Sequence, residues 1–136
     1  MEFKDVARIV EGKLYAYGVI KREYPEARIS SAYHAIVRDQ LVPESDQERW
    51  VMRYHRDILD AAIIERAMKR LPESERRLVT LRYVERWPWR KVAEKLHVGE
   101  RTVFAMRDRI LMVFAYEFGL TRPDDMARKK VCSNCQ

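Results

Sequence analysis

Between residues 90 and 109 lie Arg90, Lys91, Arg101, Arg107 and Arg109, interleaved with Glu100, Thr102, Phe104, Ala105 and Asp108. Guanidinium and ammonium groups take phosphate oxygens, and an arginine can also fork onto the O6 and N7 of a guanine. A row mixing arginine, threonine, an acid and a small apolar residue can read base edges in the major groove of a duplex. Arg101 stands where the first turn of a helix would reach those edges. Arg107 falls off that face and is expected to meet phosphate. Phe104 has two open readings, contact with a thymine methyl or burial against a partner.

Other chemistries find less to work with. His34, His55 and His97 lie in three different segments, and His55 and Asp57 point to different sides of one helix. No Ser-His-Asp set, glycine-rich phosphate loop or His-x-x-x-His pair is present. Glu73, Glu75, Asp124 and Asp125 read as surface or capping acids. These features argue against an enzyme. Cys132 and Cys135 form a C-x-x-C after Lys129-Lys130. Two chains could pool four thiolates there around an intermolecular zinc, but a reduced, unstructured tail is the simpler reading, and no cofactor is expected. Trp50, Trp87 and Trp89 could stack on single-stranded bases, but their places at helical spacing and helix starts suit a core.

The elements that must position the basic row are helical. Only four glycines and five prolines interrupt 136 residues, of which 47% are hydrophobic and 35% charged. This pattern predicts an all-α chain with a helical N-terminal part and a C-terminal helix-turn-helix. Phe3, Val6, Ala7, Val10, Leu14 and Tyr17 recur at helical period over residues 3–22. Pro25 breaks that helix, and a short one follows, with Ser30 or Ser31 as a possible cap and Pro43 at its end. These make an N-terminal helical region, residues 1–45. Asp46 can cap a helix carrying Trp50, Tyr54, Ile58, Ala61, Ile64, Met68 and Leu71. Residues 46–71 thus form a long connecting or dimerising helix of about 25 residues.

The module that follows spans residues 72–120. Pro72 and Pro88 suit helix starts, and Leu78, Val79, Leu81 and Tyr83 cover one face. "KVAEKLHVGERTVFAMRDRI" then stops a helix after Leu96, turns through His97-Val98-Gly99 and restarts. A plain helical hairpin could do this. A helix-turn-helix additionally needs a small residue at the crossing, apolar flanks, an apolar plug and a buried stripe. Ala93 meets the first need, Val92 and Leu96 the second, Val98 the third, and Val103, Met106 and Ile110 the last. His97 stands where glycine is commonest, and Gly99 where Ser or Thr usually caps, with Thr102 nearby. Gly119 stops the last helix, and residues 121–136 read as a flexible tail.

Charge follows the same geography. The chain carries a net +6, and residues 66–110 hold 13 Lys/Arg against six Asp/Glu. The other residues hold 14 against 15. Concentrated positive charge suits nucleic acid, which binds with release of counterions. No apolar run reaches the length of a membrane span, and the N-terminus lacks the apolar core of a signal peptide. The expected setting is the cytoplasm of a bacterial host cell, without membrane contact.

Residues 67–115 resemble region 4 of bacterial sigma factors. The matching marks are Leu71-Pro72, the charged stretch Glu73 to Arg77, Leu81-Arg82-Tyr83, Val92-Ala93 with Leu96, and Thr102-Val103. The resemblance implies a module that binds double-stranded DNA and can dock on RNA polymerase. No segment resembles the −10-binding region of a sigma factor. The helical N-terminal part, and an ending such as "YEFGLTRP", are similar to phage late transcriptional regulators of the ArpU and RinA type. That likeness implies a sequence-specific transcriptional activator of phage or prophage late genes, with a homodimer as one form. A phage small terminase subunit, or a module that only docks on RNA polymerase, are the alternatives.

Overall fold

α1 (Phe3–Glu23) runs along one side of a helical assembly in which α1 touches α3, α6 and the turn after α4. The computed structural model describes residues 2–26, 28–38 and 53–121. Its other helices are α2 (Ile29–Val37), α3 (His55–Met68), α4 (Glu73–Val79), α5 (Trp89–Leu96) and α6 (Glu100–Glu117). No strand occurs among the described residues, as expected for an all-α chain. The readings that involve Asp46, Trp50, Pro43, Cys132, Cys135 and residues 122–136 lie outside the described residues.

The apolar period of α1 explains its seat. Val6, Ala7, Val10, Leu14 and Tyr17 are buried, and Ile20 continues the stripe. On α3, Ile58, Ala61, Ile64 and Ala67 form the matching stripe, each fully buried, and α3 also covers α2. The described helical stretch here is 14 residues long, with Tyr54 at its N-cap. One hydrophobic cluster takes residues from every helix. It runs across the boundary that the sequence suggests between residues 71 and 72. Ser30 and Ser31 do not cap α2, whose N-cap is Arg28 with no side-chain cap bond.

Local chemistry sets the ends of the later helices. Pro72 and Pro88 occupy N-cap positions in extended backbone, and α4 and α5 start directly after them. α4 passes into a π-helical turn, Thr80–Val84, closed by the Glu85 N–H donating to the Thr80 carbonyl. The wider turn turns Leu81 and Tyr83 inward together. Gly18 of α1 lies against it so closely that a Cβ there would sit 2.0 Å from the Tyr83 carbonyl oxygen. At Arg86 the backbone becomes left-handed, and the Trp87 N–H returns to the Leu81 carbonyl.

α6 ends in a glycine cap. Gly119 has φ +74°, its N–H reaches the Tyr116 carbonyl, and the Leu120 N–H reaches the Ala115 carbonyl. This is a paired C-terminal cap that satisfies carbonyls the helix leaves open.

Candidate nucleic-acid interface

α5, the turn at residues 97–99 and α6 form the helix-turn-helix. Ala93 is 3% exposed and Val92 fully buried, so the small residue stands inside the packing as the crossing requires. His97 takes the left-handed conformation, φ +59° and ψ +42°. Its neighbour's N–H, that of Val98, donates to the Ala93 carbonyl at 3.0 Å. Val98 plugs the turn, half-buried against the core. Gly99 then caps α6 in extended backbone, with no side-chain cap bond.

α6 buries Val103, Met106, Ile110, Leu111, Phe114 and Ala115. Fully burying a side chain of this size is worth roughly 1.5–3 kcal/mol, so apolar contact fixes which face is inward. At 3.6 residues per turn, Arg101, Ala105 and Asp108 then share the outward stripe, and all three are exposed. Glu100, Thr102 and Phe104 are exposed on its flanks. Arg90 and Lys91 are exposed on α5. The side chains of Arg90, Lys91 and Arg101 make no hydrogen bond or ion pair among the described residues.

Two of the expected contacts are otherwise engaged. The Arg107 guanidinium is turned to acids of its own chain. Its Nη2 donates to Glu11 Oε1 at 2.6 Å and its Nε to Glu11 Oε2 at 3.3 Å, while Nη1 donates to Asp108 Oδ1 at 2.9 Å. Its side chain is only 23% exposed. Burial works against its charge, but Glu11, by hydrogen bond and charge, outweighs burial and holds its pKa above the ordinary arginine value. Arg109 pairs with Glu75. Glu75 is not a surface acid: it is 3% exposed, and Arg109, itself well exposed, supplies its counter-charge from the rim of the core.

Residues outside the expected contact set hold the site together. The Tyr83 hydroxyl donates to Glu11 Oε2 at 2.8 Å. Burial first, then the Glu11 charge, push its pKa far up, so it remains a neutral donor. Glu11 stands 96 positions from Arg107, and no local pattern could pair them. The one trace in the sequence is an acid set four residues after Ala7 and three before Leu14, beside an apolar stripe. Arg82 Nη1 donates to the Trp87 carbonyl at 3.0 Å, and its guanidinium lies 4.7 Å from the centre of the Trp89 ring. It thereby braces the entry to α5. Trp87 and Trp89 are half-buried and pack against the core. Phe104 lies 5.4 Å from Trp89, ring to ring, while still 42% exposed. Its own chain provides the aromatic neighbour.

Residues 61–112 match the family model of sigma-70, region 4. The matched segment starts within α3 and ends on α6, taking in α5, the turn and most of α6. Neither a curated protein nor a solved structure matches the chain. Region 4 of sigma-70 is a DNA-binding helix-turn-helix, and the match suggests that role for these residues. Among the described residues, no helix is long and apolar enough to cross a membrane. Nor does any group of three His, Cys, Asp or Glu side chains there gather as a metal site would need.

Proposed function

We infer that this chain is a sequence-specific transcriptional regulator that lays α6 in the major groove of double-stranded DNA. The observation that carries the reading is the outward stripe of Arg101, Ala105 and Asp108 on the second helix of a helix-turn-helix. Thr102 and Phe104 flank the bases, Glu100 sits in the first turn, and Arg109 lies at the edge with its Glu75 pair. Arg90 and Lys91 on α5 are the phosphate contacts, joined by neighbouring cations of the basic segment. Arg107 belongs to the scaffold. The helical N-terminal part and the ending "YEFGLTRP" support the finer reading, a late-gene activator of a phage or prophage acting in the bacterial cytoplasm. RNA polymerase and a second copy of the chain are its proposed protein partners.

The test is binding of the full chain to duplex DNA without polymerase, over a series of salt concentrations. Arg90→Ala and Lys91→Ala are each expected to weaken all sequences alike and to lower the log–log salt slope by about one. Arg101→Ala is expected to relax preference at one or two base pairs, by roughly 1–3 kcal/mol, in a binding-site selection. Binding that ignores salt would instead point to a protein partner. A ring of eight to twelve subunits in solution would point to the terminase reading.

A further inference from the structure

We propose that Asp108 accepts a hydrogen bond from an exocyclic amino group, that of cytosine, in the major groove, and that Glu11 of α1 positions it through Arg107. The inference rests on α6 being the groove-reading helix, and it assigns a role to an N-terminal helix outside the segment that matches region 4.

A carboxylate facing a duplex has a problem of charge, because the phosphates repel it. Asp108 is on the outward stripe with Arg101 and Ala105, and the small Ala105 side chain lets the helix approach closely. Arg107, shared with Glu11, offsets part of the Asp108 charge by donating to Oδ1 at 2.9 Å, and Oδ2 makes no hydrogen bond among the described residues. A carboxylate oxygen can only accept. In the major groove it therefore suits an amino group and opposes the oxygen acceptors of guanine and thymine. Adenine's amino group lies beside the N7 acceptor, which repels a carboxylate, so cytosine is the better partner.

Neighbouring residues on a helix point in different directions and rarely pair. Arg107 spans that gap because its other nitrogens are already held. Glu11 takes Nη2 at 2.6 Å and Nε at 3.3 Å, and accepts the hydroxyl of Tyr83, which is fully buried. The planar guanidinium is thus fixed on one edge by a carboxylate anchored in the core. Its remaining corner is aimed at Asp108. Tyr83 also packs edge-on to Trp89, 6.2 Å between ring centres, so the same anchor bears on the start of α5. α1 consequently sets the direction of a side chain on the opposite surface of α6.

The experiment is selection of binding sites from random duplexes by the full chain and by Asp108→Ala, Glu11→Gln and Arg107→Lys, with Arg101→Ala for comparison. Wild type is expected to prefer cytosine at one position. Asp108→Ala, Glu11→Gln and Arg107→Lys should each flatten that same position by about tenfold, whereas Arg101→Ala flattens a different one. Thermal melting of each variant reports folding separately, and Arg107→Lys keeps the charge while losing the fork. Should wild type select a sequence that Asp108→Ala leaves unchanged, the amino-group contact is wrong while the DNA-reading function stands. Should Glu11→Gln and Arg107→Lys weaken every sequence equally, they are structural only, and the positioning role falls. If wild type selects no sequence at all, the functional reading and this inference fail together.

Discussion

His97 carries the turn of the helix-turn-helix at a local cost. A residue with a Cβ in left-handed backbone pays roughly 1–2 kcal/mol relative to glycine, and His97 holds φ +59°. Glycine would remove that strain but would also gain freedom in the unfolded chain, worth about 0.4–1 kcal/mol the other way. His97→Gly is therefore expected to stabilise the protein modestly, by about 0.5 kcal/mol. A rise in the urea midpoint at unchanged slope would verify this; a fall would mean the imidazole makes a contact worth more than the strain. At the same scale, Arg107 has a partner that sequence position does not show. Its offset from the outward stripe suggests phosphate contact, yet an acid from a distant helix claims its guanidinium.

Between elements, close approach decides what is tolerated. α1 meets the π-helical turn at Gly18, where an added methyl would strike the backbone oxygen of Tyr83. Backbone cannot yield as a side-chain tip can. Gly18→Ala is expected to cost at least about 2–3 kcal/mol, at the upper end of overpacking effects, read from chemical denaturation. A loss below about 0.5 kcal/mol would mean the helix and turn separate easily. Ala93, buried between α5 and α6, is the corresponding point inside the helix-turn-helix. A glutamate there would bring an unpaired carboxylate into the core, a burial that proteins do not sustain. Ala93→Glu is expected to abolish both cooperative melting and DNA binding. Retention of the two together would refute the crossing as described.

At the scale of the molecule, two tyrosines tie stability to pH. Burial raises the pKa of Tyr83 and of Tyr17 well above the ordinary 10.0, with Glu11 and Glu65 respectively adding to it. The folded chain thus holds phenolic protons that the unfolded chain surrenders. This contribution is complete below pH 10.0, the unfolded value, and is lost progressively as pH rises above it. The melting temperature is expected to fall steeply beyond about pH 10, and Tyr17→Phe should flatten the fall. An identical alkaline slope in that variant would remove Tyr17 from the account. One core joins the N-terminal helices to the helix-turn-helix, so this loss is expected to reach the DNA-binding surface as well.

Periodicity and punctuation in the sequence located the helices, though not the cap of α2 or the start of α3 after Tyr54. The stripe of α1, the starts after Pro72 and Pro88, the turn at His97-Val98-Gly99 and the stop at Gly119 follow from local rules of burial, φ preference and capping. So does the inward face of α6, and with it the outward set of Arg101, Ala105 and Asp108. What only the tertiary structure decided is which charges remain outward and which are bound internally. Glu75 with Arg109, Glu11 with Arg107 and Tyr83, and the contact of Gly18 with the Tyr83 carbonyl join segments distant in the chain. Hydrophobic period is a property of near neighbours and survives in one dimension. Pairing between distant charges depends on where whole helices come to rest, which no spacing in the sequence encodes.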